Sequence, residues 1–266
     1  MKTLLKIGAV IVFLIEALSA LEIKTPLDAV RATGHEMSEM RHMLEIFAMI
    51  GTNVSFRLPR EQLKKSVALY EETIAAMEKT FPDKEIQKQI AIGREGWKPV
   101  KKALTASLKE PPPSPEEMTK GAIFIHGNIR KVIKAMEAMK EYMLTKADFK
   151  AIKELNAALE IDASARRLSA HYAMWMWGLP DPTIEAHWNK GMAIYRRSLA
   201  VLEDSSFDHD PQFRARLDEA RKQLGFFGMI QRMADRKHFV PALVQVNAGK
   251  AGAAAMEMAG MILKSK

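Results

Sequence analysis

From residue 25 onward, apolar residues recur at the three- and four-residue spacing of amphipathic helices, and a few sharp breaks interrupt them. Thr25-Pro26 opens a long helix carrying Met37, Met40, Leu44, Phe47 and Ile50, which ends between Gly51 and Pro59. A second helix begins at Pro59 with Leu63, Val67, Tyr70, Ile74 and Met77 and stops at Phe81-Pro82-Asp83. A third, over about 84–108, carries Ile86, Ile90, Trp97, Val100 and Leu104, and Pro99 is expected to bend it or to start a new turn. The segment from Glu110 to Pro115 reads as a stiff linker, and Ser114 with Glu117 as a capping box for a fourth helix running to about Thr145. After Ala147-Asp148 a long helix reaches Trp177. Gly178 to Pro182 breaks it, another helix reaches about Glu203, and two more fill about 209–238 and Pro241 to the end.

The order of elements repeats. A shift of about 125 residues aligns the first two helices without a gap. Arg41 meets Arg166, Phe47 meets Tyr172, Met49 meets Met174, Tyr70 meets Tyr195, Glu78 meets Glu203 and Asp83 meets Asp208. With a small insertion, Ile86 meets Phe213, Ile90 meets Leu217 and Trp97 meets Leu224. Shared aromatic, arginine and break positions point to duplication of a four-helix unit, the smallest that closes an up-down-up-down core. The expected fold is all-α, with two tandem up-and-down bundles of about four helices each, at 21–146 and 147–266.

Composition narrows the chemistry. The chain contains no cysteine, which excludes disulfides, thiolate metal sites, iron–sulfur clusters, covalent haem and cysteine nucleophiles. The net charge of +8 is spread along the chain, unlike the basic stripe of a nucleic-acid binder. Residues 1–20 combine Lys2 and Lys6 with an apolar run from Ile7 and the small residues Ala17 and Ser19. That run is about 14 residues against the roughly 20 needed to span a bilayer, so a cleaved signal peptide and a periplasmic or secreted location are expected, with no membrane span in the mature chain.

His35, Met37, Met40, His42 and Met43 gather soft donors on one helix, a set suited to copper. The abundance of methionine elsewhere at core spacing favours gap-filling instead, so no metal site and no cofactor are assigned. Tyr172, Trp175 and Trp177 are expected to cap a bundle core. Glu185 and His187 stand beside no nucleophile, and Asp208-His209-Asp210 reads as the start of a helix. With no nucleophile elbow, phosphate loop or dinucleotide fingerprint present, no enzymatic activity is expected.

The run from Ile161 to His171, containing Arg166-Arg167-Leu168-Ser169, is followed by Trp177-Gly178-Leu179-Pro180-Asp181 and Ala193-Ile194-Tyr195. This resembles the PilJ-type sensory domain of type IV pilus chemotaxis transducers, itself similar to the periplasmic bundle of NarX-like nitrate/nitrite sensors. Arg41-His42-Met43-Leu44 and Ala68-Leu69-Tyr70 carry a weaker resemblance in the first copy. The second arginine of the family pattern is replaced by Ile46 and His171. The resemblance implies an exported, non-catalytic ligand-sensing module that takes a small oxyanion between its long helices, through Arg41, Arg166, Arg167 and Ser169, and signals to a periplasmic protein partner. A structural interaction module without a ligand and a Met/His metal-handling bundle are the alternatives.

Overall fold

Eight α-helices form where the breaks place them in the computed structural model, which describes residues 23–233 and 240–265. The expected signal peptide at 1–20 lies outside the described residues. In chain order the helices are α1 Pro26–Gly51, α2 Pro59–Thr80, α3 Lys84–Ala106, α4 Pro115–Lys146, α5 Ile152–Trp177, α6 Thr183–Glu203, α7 Pro211–Met233 and α8 Pro241–Lys264. Local chemistry explains the boundaries. Thr25 with Asp28 and Ser114 with Glu117 close reciprocal capping boxes, each followed by proline at the first helical position. Gly178 ends α5 with φ 77, a left-handed conformation that glycine adopts without steric cost. Pro99 lies inside α3 and starts no new element. The Asp208-His209 stretch forms a 3₁₀ turn, Ser206–His209, rather than the first turn of α7.

Helices α1 to α4 pack each on the next and α4 returns to α1; α5 to α8 do the same. Neighbours within each ring are antiparallel. Glu39 reaches Ser66, Glu71 reaches Trp97 and Lys101, and Gly121 lies under Phe47 in the first ring. In the second, Glu160 reaches Ser198 while Gly191 lies under Leu168, and Gly252 lies under Asp162. The rings join through α1 and α5, which run parallel, because Gly34 faces Leu159, His42 faces Arg166 and Glu45 faces Ser169. A single apolar core therefore continues through both bundles.

The repeat survives in the packing. Tyr70 and Tyr195, Phe47 and Tyr172, Ile86 and Phe213, and Ile90 and Leu217 are all buried, although Leu224 is only half-buried where Trp97 is buried. Trp177 packs its ring on Phe47, as expected of a core cap. No helix among the described residues is long and apolar enough to cross a membrane.

Candidate metal centre

The α1/α5 seam holds most of the charged residues that sequence singles out. On one flank Ser169 donates to Glu45, and His42 Nδ1 lies 2.9 Å from the same carboxylate. Arg166 Nη1 lies 3.8 Å from Glu45 and 3.3 Å from His42. Burial pushes the Glu39 carboxyl up, but His42, His35, Arg166 and Ser66 outweigh it and hold Glu39 low. Arg166 is thus neutralised by the protein's own carboxylates.

Arg41 has a different environment. It is buried, donates to the carbonyl of Met37 at 3.0 Å, and is pushed down to about 9 by burial and by the nearby Arg167. The structure thus pairs Arg166 with Ser169 on Glu45 and sets Arg41 near Arg167. No hydrogen bond or ion pair joins Arg41 to Arg166 among the described residues. The Met/His group of α1 does not converge either: Met37, Met40 and Met43 fill the core, His35 turns to Asp162 at 3.8 Å, and His42 turns to Glu45.

The other side of α1, toward α2, stores a pH dependence. Both carboxylate oxygens of Glu36 are buried without a hydrogen-bond partner, since the nearby Thr73 hydroxyl donates to the carbonyl of Leu69. Burial pushes Glu36 up to about 7 from 4.5, against the pull of His35. The folded protein therefore keeps a proton that the unfolded chain releases across that window, and stability falls as pH rises through it. Glu36→Gln is expected to be near neutral at pH 4.5. Above pH 7 it should stabilise by about 1–3 kcal/mol, because it removes a buried charge. Urea unfolding of both proteins at the two pH values measures this, and a difference independent of pH would contradict it.

A second cluster was not legible in the sequence. His126 of α4, His171 of α5 and His187 of α6 bring their ring nitrogens within 4.8 Å of one another. Three of the chain's seven histidines thus meet at one point, from helices of both bundles. The ring centroids are 5.1, 5.3 and 5.3 Å apart. His171 is buried, and His126 and His187 are half-buried, leaving the cluster at the edge of the core.

The hydrogen bonds assign the tautomers. His171 Nδ1 lies 2.6 Å from the carbonyl oxygen of Arg167, which can only accept, so Nδ1 carries the hydrogen. His126 Nδ1 likewise donates to Asp181 at 2.6 Å. In the neutral rings both Nε2 atoms then carry lone pairs, and they face each other at 3.3 Å. Two acceptors at that distance need a positive charge between them. A proton would satisfy two rings, whereas a metal ion would also engage the third. Nitrogen ligands at about 2.0–2.1 Å from a tetrahedral ion lie roughly 3.3 Å from each other. Carboxylate and carbonyl partners behind the rings are the usual orienting groups of metal-bound histidine. Burial lowers the pKa of His171 well below the ordinary imidazole value and lowers that of His187, with help from neighbouring positive charge, so both are held in the unprotonated form that binds metal.

The chain matches no family model, and neither a curated protein nor a solved structure is significantly similar to it. The local signal for the cluster was weak. His187 stands beside no nucleophile in sequence, and His171 marks only a position where the resembled pattern has an arginine. In the first copy the positions equivalent to His171 and His187 are Ile46 and Gln62, so the cluster breaks the repeat. A groove of about 390 Å³ between Phe47, Met118 and Pro111–Pro113 lies elsewhere and has only Lys109 and Glu117 as charged lining residues.

Proposed function

We propose that this protein is a metal-binding helical module in which His126, His171 and His187 hold one divalent transition-metal ion. The observation that carries the reading is the convergence of three imidazoles, whose ligand nitrogens lie within 4.8 Å of one another and two of whose Nε2 atoms are 3.3 Å apart. Neutral imidazoles without thiolates suit zinc, copper, nickel or cobalt. Three protein ligands leave a coordination position open, as in sites that exchange a ligand rather than closed structural sites.

The placement supports a sensing role. α4 belongs to the first ring of helices and α5 and α6 to the second, and α4 and α6 are not closely packed on each other. An ion bridging them favours one packing of the two bundles by its differential affinity. The N-terminal leader pattern and the PilJ-like motifs support an exported sensory or carrier module that reports the ion to a protein partner.

Titration of chelator-stripped protein with Zn²⁺, Cu²⁺, Ni²⁺ and Co²⁺ tests the reading by calorimetry and melting. One ion per chain and a raised melting temperature are expected, corresponding to about 2.7 kcal/mol when free ion is at 100 times Kd. No binding by any of the four would overturn it.

A further inference from the structure

Each histidine of the cluster has a companion one turn away on the same helix face: Arg130 for His126, Arg167 for His171 and Gly191 for His187. α4 and α6 run antiparallel to α5, so these three positions form a second layer displaced in one direction from the histidines by about 6 Å. Gly191 gives the layer its room. A Cβ there would lie 3.3 Å from Cδ of Arg167, so the arginine stem crosses the space where another residue would place a side chain.

Arg167 is also short of partners. Its Nη1 is buried with no hydrogen-bond partner, and no carboxylate among the described residues forms an ion pair with Arg167 or Arg130. Glu137 and Glu160 both bear on Arg167 through space, but neither forms an ion pair with it, and Glu160 is engaged by Ser198 and Arg197. Arg41 and Arg130 add positive charge on either side. Arg167 is half-buried, so the cost falls on its one enclosed Nη1, and its rigid fork fits two oxygens of one planar or tetrahedral anion.

The geometry points to an oxyanion, a carboxylate or a phosphate, as the exogenous ligand of this centre: one oxygen on the open metal position, another on the Arg167 fork, with the exposed Arg130 at the mouth. The assignment rests on the metal reading above. Metal–oxygen contacts of about 2.0–2.2 Å and guanidinium–oxygen contacts of about 2.8 Å allow one small anion to bridge adjacent layers. The site would then respond to metal and anion together, each raising the affinity for the other.

The test uses the full chain loaded with Co²⁺, whose visible spectrum reports its ligands, titrated separately with inorganic phosphate and with acetate. At least one anion is expected to bind and change the spectrum, and the preferred one assigns the class. Arg167→Gln should weaken that binding about 30-fold and leave Co²⁺ affinity within a few-fold, because the guanidinium touches the anion and not the metal. Arg167→Lys, which keeps the charge but loses the fork, should fall between, and circular dichroism checks that both variants fold. Co²⁺ binding with no anion response, or an unchanged response in both variants, overturns the anion site alone. Failure of Co²⁺ to bind overturns the metal reading and this inference with it.

Discussion

His171→Ala is expected to lower affinity for the divalent ion by about two to three decades. Complete four-ligand zinc sites are worth about 10–16 kcal/mol, so one ligand of a first shell accounts for roughly 3–4 kcal/mol. His171 has the largest expected effect because it is the buried ring of the three and its tautomer is set by the Arg167 carbonyl of its own helix. Its backbone support survives most distant mutations, so the imidazole itself is the sensitive element. Asp181→Ala should cost about 10–100-fold, since Asp181 orients His126 without touching the ion. Melting curves without metal provide the control: His171→Ala should fold, with a loss confined to about 1–2 kcal/mol from the space it leaves. Calorimetric titration of wild type and both variants gives the ranking. Equal affinities would remove His171 from the site.

The equivalent arginines of the two copies should respond to the same substitution with opposite signs. Arg41→Met is expected to stabilise the protein by about 1–3 kcal/mol. Arg41 is 5% exposed, its side-chain hydrogen bond goes to a carbonyl of its own helix, and burial together with Arg167 outweighs the pull of Glu137 and Asp162. Methionine keeps an unbranched apolar stem in the same space and removes the charge. Arg166→Met should instead destabilise by about 1–3 kcal/mol, because it leaves the buried carboxylates of Glu45 and Glu39 with less compensating charge. Urea unfolding of the two variants at pH 7 is sufficient. Changes of the same sign would show that the two environments do not differ as their neighbours indicate.

That difference shows how a repeat stops being symmetric. Arg41 and Arg166 align in the sequence, as do His42 and Arg167. Across the parallel seam, Arg166 therefore meets His42, whereas Arg41 meets Arg167. One side can accommodate carboxylates around a histidine; the other gathers two guanidinium groups. Sequence pairing alone could suggest a shared arginine pocket, but the sign of the neighbours depends on which helix faces which.

Helix positions, their ends and the tandem arrangement were determined by the sequence itself. They rest on short-range physics: three- and four-residue apolar spacing, the capping boxes at Thr25 and Ser114, the glycine at 178 and the prolines at first-turn positions. The methionines of α1 were legible as core for the same reason, since their spacing already describes one buried face. Only tertiary structure decided the candidate metal centre. His126, His171 and His187 stand on three helices, and nothing within any one helix specifies the other two. They meet because α1 and α5 pack in parallel. That brings α4, bound to α1, and α6, bound to α5, to the same seam at the same height. Side-chain convergence across such a seam depends on the register and direction of distant helices, information that local periodicity does not carry.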